Sequence, residues 1–171
     1  MTFCLNSGDW DSSEAIERSG DLDRHRACMA AHATDYINTN RLNGYLASLD
    51  GATVGWCNAA AKTDFQRFDS GWVDGVSDFI MADPAPNAFA VTCFLIDPAH
   101  RGQGIATALL NHAVADARRR GFTSIEGYPR SHNETDPFDF TGPMTMYVRS
   151  GFTAVNQSPG ATIMRRLLAQ D

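Results

Sequence analysis

Residues 89–121 read FAVTCFLIDPAHRGQGIATALLNHAVADARRRG, and this stretch decides the fold. It begins as an apolar run of strand type, passes through the turn RGQGIA at residues 101–106 and continues as an amphipathic helix. Gly102 and Gly104 lack a Cβ, so a ligand can approach the main chain closely there. The amides of the turn and of the first helical residues have no intrahelical partner and lie at the positive end of the helix dipole. The sequence therefore predicts a cradle for a pyrophosphate.

The helix after the turn carries one apolar stripe at helical spacing, formed by Ala106, Leu109, Leu110, Ala113 and Ala117. Three arginines, 118–120, precede Gly121, which is typical of a helix C-terminus. We interpret these arginines as compensation of the helix dipole at a solvated end, so no nucleic-acid partner is expected.

Two other phosphate-binding motifs do not match this turn. Thr107 stands where a dinucleotide fingerprint needs its third glycine, and no Gly-Lys-Ser/Thr follows as in a nucleoside-triphosphate loop. What remains is Arg-x-x-Gly-x-Ala behind a strand and an Asp-Pro step. In this context the chain resembles the GCN5-related N-acetyltransferases (GNAT family), whose acetyl-CoA motif is Arg/Gln-x-x-Gly-x-Gly/Ala.

The resemblance implies a fold and a cosubstrate. The fold is α/β, with a mixed, mostly antiparallel central sheet that has a splayed V between its fourth and fifth strands and is flanked by helices. The cosubstrate is acetyl-CoA, and no metal is expected. The implied binding residues are Arg101, Gly102, Gln103, Gly104, Ile105 and Ala106 for the pyrophosphate, and Phe94, Leu95 and Ile96 for the pantetheine arm. A main-chain amide near Leu95 is then the expected oxyanion donor.

Tyr147 is the implied general acid. It precedes Gly151 and Phe152 as Tyr-x-x-x-Gly-Phe, which in the resembled family places a tyrosine beside the coenzyme sulfur. Since the reference pKa of tyrosine is about 10, its hydroxyl can protonate a thiolate at neutral pH. The alternative is a tyrosine packed on the core with its hydroxyl bonded elsewhere.

The general base is less defined by the sequence. Histone-modifying relatives carry a glutamate on the strand before the turn, but FAVTCFLI contains no acid. Glu126, on the next strand, is the candidate that remains; a solvent-facing glutamate with a water chain as the base is the alternative. Phe140 stands where some members have an asparagine seven residues before the tyrosine, so that coenzyme contact is not expected.

The rest of the sequence predicts the other strands and helices. A hairpin is indicated by the strand-like runs 45–49 and 52–58 around Asp50-Gly51, and further strands by 123–128, 152–155 and 162–168, with 156–161 as the last connection. Residues 144–152 predict a short helix. Residues 60–87 form an unusually long connection. They could contain a short helix, cover the acceptor side of the site, or be a polar segment exposed to solvent.

The N-terminal part predicts two helices, one starting near Asp11 and Glu14 and one over Leu22–Ile37, while residues 2–5 are at best a short strand. We expect a single domain over 1–171, with a helical part at 10–40 and an acetyl-CoA-binding core at 89–168. Cys4, Cys28, Cys57 and Cys93 are too widely spaced for a zinc site or a disulfide scaffold.

The composition and charge of the chain limit the functions that it can have. The net charge is −6 and no run approaches the length of a membrane span, so we expect a cytoplasmic protein without a membrane partner. The prediction is an N-acetyltransferase that acts on a primary amine of a small molecule or a protein, and the charge slightly favours a cationic acceptor. The alternatives are a non-catalytic CoA-binding regulatory domain and a general nucleotide-binding domain. A homodimer, and an acyl group longer than acetyl, remain open.

Overall fold

The structure is a computed structural model that describes residues 20–39, 42–65, 76–130 and 140–169. The chain divides into two compact units, one of residues 1–43 with 69–72 and one of residues 44–68 with 73–171. The predicted helix near Asp11 and Glu14, the candidate strand at 2–5 and the acidic stretch 133–139 lie outside the described residues. The single domain over 1–171 stays a prediction.

The first unit contains helix α1, Leu22–Asn38. The side chain of Asp21 caps its start by accepting from the amide of Arg24 at 3.0 Å. At its end the Thr39 hydroxyl donates to the carbonyl of Asp35 at 2.7 Å. These caps satisfy backbone groups that a helix leaves without partners, and the helix predicted over Leu22–Ile37 is confirmed.

The second unit is built on a six-stranded sheet in the order β1-β2-β3-β4-β6-β5. Its strands are β1 Gly44–Leu49, β2 Ala52–Ala61, β3 Ala88–Ile96, β4 Ser124–Gly127, β5 Thr153–Gln157 and β6 Thr162–Leu167. Only the pairing of β3 with β4 is parallel, and the other four pairings are antiparallel. The predicted mixed, mostly antiparallel sheet is confirmed, and β5 extends two residues further than the sequence indicated.

The hairpin of β1 and β2 turns at Asp50 and Gly51, whose φ angles are 50° and 81°. Two consecutive positive φ angles match the twist of the flanking strands, which explains the Asp-Gly sequence there. The predicted hairpin is therefore confirmed at its turn.

The described residues of this unit form three α-helices: α2 Val76–Ala82, α3 Ile105–Arg119 and α4 Met144–Arg149. One core contains the apolar stripe of α3, Tyr147 of α4, and Phe89 and Val91 of β3. A second, smaller core contains Ile80 of α2, Ala90, Tyr128 and Ile163. Because neighbouring strand residues point to opposite faces, the two cores lie on opposite faces of the sheet.

The sheet opens between β3 and β4. The two strands pair only from Ala88 with Ser124 to Val91 with Gly127, whereas β3 continues to Ile96. At this point the β2–β3 ladder skips Thr92, because Asn58 faces Cys93 and Ala59 faces Val91. A bulge of this kind bends a strand and increases its twist. We refer to the gap beside residues 92–96 as the splay; it is the predicted V, since β3 and β4 correspond to the fourth and fifth strands of the family.

The C-terminal half of α3 is held by a polar cluster around Asp116. The Tyr45 hydroxyl donates to Asp116 Oδ2 at 2.6 Å, and Arg119 and Arg120 form ion pairs with the same carboxylate. Burial raises the pKa of Asp116, but the hydrogen bond from Tyr45 and the two arginine charges outweigh burial and hold this pKa below its usual value. Two of the three terminal arginines therefore stabilise the fold.

Replacing Asp116 with asparagine is expected to lower the free energy of unfolding by about 1–3 kcal/mol near neutral pH, because charge-assisted hydrogen bonds are lost. The folded-state pKa is depressed, so this contribution is present above the unfolded-state pKa of about 4 and is lost as the pH falls through the lower folded-state value. Urea denaturation between about pH 7 and pH 3 checks the prediction. A difference between the two proteins that persists undiminished at the acidic end would contradict it.

Candidate active site

The turn RGQGIA forms the predicted cradle at the start of α3. Gly102 and Gly104 have φ angles of 75° and 83°, and Gly104 is the N-cap of the helix. Side chains rarely adopt such angles, which explains both glycines. The first hydrogen bond of the helix runs from the Ala108 amide to the Gly104 carbonyl at 2.9 Å. The amides before Ala108 therefore have no intrahelical acceptor and form a site suited to an anion.

Side chains of the turn also fix its position. Arg101 Nε donates to the carbonyl of Ile96, the last residue of β3, at 3.2 Å. Gln103 Nε2 donates to the carbonyl of Ala99 at 3.3 Å. Asp97 caps the short 3₁₀ turn between strand and cradle by accepting from the Ala99 amide at 2.9 Å. The cradle is thus tied to the end of β3, so the two predicted coenzyme-binding segments are held as one piece.

The amides of β3 point alternately to β2 and to the splay. The Phe94 amide donates to the Phe140 carbonyl at 2.6 Å, on the side of the splay. The Asp97 amide donates to the Val54 carbonyl of β2 at 3.0 Å. Successive amides of a strand point in opposite directions, so amides two residues apart point the same way. The amide of Ile96 therefore points toward the splay, as the amide of Phe94 does.

The amide of Leu95 points the opposite way, toward β2, where Leu95 is paired with Trp56. Of the amides near Leu95, those of Phe94 and Ile96 therefore face the splay, and the expected oxyanion donor near Leu95 stays a prediction that points to one of these two amides. The sequence could not reveal this, because strand register decides which amides belong to the ladder and which do not. The role of Phe94–Ile96 in holding the pantetheine arm stays a prediction.

Tyr147 is fully buried, with an exposed fraction of 0%. Its hydroxyl donates to the Thr141 carbonyl at 2.7 Å. Its ring packs edge-on against Phe94 and Phe152, with centroid distances of 6.5 and 5.4 Å. The ring is thus part of the core and the hydroxyl is bonded within the fold, as in the alternative stated above, and the role of Tyr147 as general acid stays a prediction.

Gly127, the last residue of β4, makes room for the Tyr147 ring. A Cβ added at this glycine would lie 2.1 Å from Tyr147 Cε1 and 2.7 Å from its hydroxyl oxygen. No real side chain tolerates such contacts, so the missing Cβ determines how closely the tyrosine approaches the strand. A glycine in a strand often marks a close approach of this kind, which is the sequence signal that could have indicated it.

Glu126 lies on the opposite face of β4 from Tyr147. Gly127 faces the tyrosine, so its neighbour Glu126 points to the other side of the sheet. The exposed fraction of Glu126 is 0%. The carboxylate therefore does not share a face with the Tyr147 ring, and its role as the base stays a prediction.

The contacts of Glu126 form a structural network. Lys62 Nζ lies 3.0 Å from Oε2, Arg165 Nε donates to Oε1 at 2.7 Å, and the Tyr128 hydroxyl donates to Oε2 at 2.9 Å. Asp83 accepts from Arg165 and completes a buried set of two cations and two carboxylates. Burial, followed by the charge of Glu126, raises the pKa of Tyr128 far above its usual value. The network joins the 3₁₀ turn after β2, the strands β4 and β6, and the residue after α2.

Two carbonyls that the sequence analysis did not include complete the site. They belong to Phe140 and Thr141, which precede α4 and accept from Phe94 and Tyr147. Backbone acceptors leave no trace in residue types, so no sequence signal could have found them.

A membrane-spanning helix and a metal site are both absent from the part of the chain that the structure describes. In the described ranges, no helix combines the length and apolarity that crossing a bilayer requires. Residues 20–39, 42–65, 76–130 and 140–169 contain no group of three or more His, Cys, Asp or Glu side chains arranged to hold a metal ion.

Known structures share this fold. A protein described as an acetyltransferase of the GNAT family from Desulfovibrio desulfuricans is 14% identical with a TM-score of 0.56, covering 97% of this chain and 96% of that chain. A ribosomal-protein-alanine N-acetyltransferase from Brucella melitensis is 16% identical with a TM-score of 0.54, covering 82% and 78%. The protein yncA from Salmonella typhimurium, described as an acetyltransferase and solved with its cofactor acetyl-CoA, is 17% identical with a TM-score of 0.51, covering 85% and 74%. Identities of this size show a shared fold alone.

The sequence itself gives the family. The chain matches no curated protein. It does match the family described as Acetyltransferase (GNAT) family over residues 9–135, which is most of its length. With the splayed sheet and the glycine cradle in place, the chain belongs to the GNAT family and is an acetyl-CoA-dependent acyltransferase.

Proposed function

We propose that this protein transfers an acetyl group from acetyl-CoA to a primary amine by direct attack, with Tyr147 as the general acid. The observation that carries the proposal is the position of the Tyr147 hydroxyl, which belongs to a buried side chain and donates to the Thr141 carbonyl, next along the chain to the Phe140 carbonyl that accepts from the Phe94 amide. The cradle amides hold the pyrophosphate, and the splay-facing edge of β3 receives the pantetheine arm as it would receive a peptide.

In the proposed reaction the amine nitrogen attacks the thioester carbonyl carbon, and a splay-facing amide of β3 stabilises the oxygen as it gains charge. The carbon–sulfur bond then breaks, and the tyrosine hydroxyl gives its proton to the departing sulfur. The acceptor, protonated in water, loses one proton to solvent before its nitrogen attacks and a second after the carbon–nitrogen bond forms, and the phenolate regains one proton from solvent. No side chain is assigned as the base, because the Glu126 carboxylate is engaged by Lys62, Arg165 and Tyr128.

The acceptor in this proposal is an amine that carries a positive charge before it reacts, because the chain has a net charge of −6. A screen of polyamines, aminoglycosides, amino acids and peptides with acetyl-CoA, monitored by release of free thiol, tests activity and acceptor together. Coenzyme binding without thiol release from any amine would favour the non-catalytic CoA-binding domain. Equal binding of ATP, NAD and acetyl-CoA would favour a general nucleotide-binding domain.

Replacing Gly104 with valine is expected to raise the Kd for acetyl-CoA about tenfold or more, because a β-branched residue is strained at its φ of 83° and the cradle amides lose their orientation. Isothermal titration calorimetry measures this change. Gly121→Val is the matched control, since Gly121 has a φ of 78° and follows the other end of α3. Equal losses of affinity in both variants would contradict a cradle at residues 101–106.

A further inference from the structure

The proposed reaction needs two hydrogen-bond or proton donors, a splay-facing amide of β3 and the Tyr147 hydroxyl. In the structure the Phe94 amide and the Tyr147 hydroxyl both donate to carbonyls of the chain. The Phe94 amide donates to the Phe140 carbonyl at 2.6 Å. The Tyr147 hydroxyl donates to the carbonyl of the next residue, Thr141, at 2.7 Å. One short segment, Phe140–Thr141, therefore satisfies an amide on β3 and a hydroxyl on α4 at the same time.

A thioester makes the same two demands. Its carbonyl oxygen gains negative charge during attack and needs an N–H donor, while its sulfur, one bond from the carbonyl carbon, needs a proton as it leaves. We infer that the Phe140 and Thr141 carbonyls occupy the positions that the thioester needs beside the Phe94 amide and the Tyr147 hydroxyl, and that acetyl-CoA displaces these carbonyls when it binds. This inference rests on the proposed function and adds to it a closed state of the site.

The closed state reduces the apparent affinity for the coenzyme. When only a fraction of the molecules is competent to bind, the apparent Kd is the intrinsic Kd divided by that fraction. A change that weakens the closed state, but not the coenzyme contacts, therefore tightens binding. Loss of one net hydrogen bond from a predominantly closed population changes the apparent Kd about fivefold.

Gly142 provides the bend that the closed state requires. It follows Thr141 directly and has a φ of 81°. A Cβ at this position would lie 2.7 Å from Met146 Cε and 3.3 Å from the Phe94 ring. Alanine there opposes the closed arrangement through both backbone strain and contact with these side chains.

Calorimetric titration of acetyl-CoA into four proteins tests the inference: the wild type, Tyr147→Phe, Gly142→Ala and the control Gly121→Ala. Tyr147→Phe removes the bond to Thr141, and we expect this variant to bind acetyl-CoA about fivefold more tightly although its turnover is lost. Gly142→Ala is expected to tighten binding by a similar factor. Gly121→Ala places the same backbone strain at a φ of 78°, with no heavy atom within 4 Å of the new Cβ, and is expected to bind as the wild type does.

Adenosine 3′,5′-bisphosphate, which lacks the pantetheine arm, does not reach the thioester subsite and is expected to bind all four proteins equally. Equal or weaker binding of acetyl-CoA by folded Tyr147→Phe overturns the inference. If thermal unfolding shows that this variant does not fold, equal or weaker binding by Gly142→Ala overturns it instead. A wild type that binds no acetyl-CoA contradicts the proposed function itself, so the two failures are distinguishable.

Discussion

Replacing Tyr147 with phenylalanine is expected to lower kcat by about 10²–10⁴-fold, the range that a positioned general acid contributes. The substitution keeps the ring that packs against Phe94 and Phe152 and fills the space above Gly127. It removes only the hydroxyl and its bond to Thr141, so the free energy of unfolding is expected to fall by about 1 kcal/mol. Steady-state thiol release at saturating acetyl-CoA measures the loss in kcat.

Tyr45→Phe is the matched control, because it also removes a hydroxyl that donates to an acceptor within the fold. That hydroxyl bonds to Asp116 on α3 and takes no part in the splay. The control is expected to lose about 1.5–3 kcal/mol of stability, the contribution of a hydrogen bond to a charged group, while kcat stays within about twofold of the wild type because the Tyr45 hydroxyl takes no part in the reaction. A kcat for Tyr147→Phe that matches this control would remove the general-acid role.

The elements that position the site could be predicted from local signals. The glycines at 102 and 104, the helical stripe and the Asp-Gly turn each carry their structural reason in the residue type. Each of these signals depends on only a few neighbouring residues. The structure has β3, the cradle and α3 at the positions that the signals predicted. The position of Tyr147 beside the splay was implied by the resemblance, and no local pattern would have brought α4 to β3.

The surroundings of Glu126 could not be predicted from the sequence. Strand β4 reads SIEG and all four of its residues are buried, so the strand shows no alternation that would identify a solvent face. The partners of the carboxylate, Lys62 and Arg165, lie far from it along the chain. Only the assembled sheet reveals that the glutamate belongs to an ion network on the face opposite Tyr147.

Replacing Glu126 with glutamine is therefore expected to destabilise the fold rather than to remove a catalytic base. Removal of one partner from a buried ion pair leaves an uncompensated charge and costs about 3–5 kcal/mol. In a chain of this size such a loss lowers Tm by roughly 10 °C. Differential scanning calorimetry measures the shift, and thiol release well below Tm gives the activity per folded molecule, which is expected to stay near the wild-type value.

The double variant Lys62→Met with Glu126→Gln separates charge imbalance from loss of packing. It removes one cation and one anion together and leaves Arg165 paired with Asp83. Because the buried set then regains charge balance, the double variant is expected to recover at least about half of the stability that Glu126→Gln loses. A catalytic base predicts the opposite pattern: a wild-type Tm for Glu126→Gln, a kcat lowered by about 10²-fold or more, and no recovery when Lys62 is replaced.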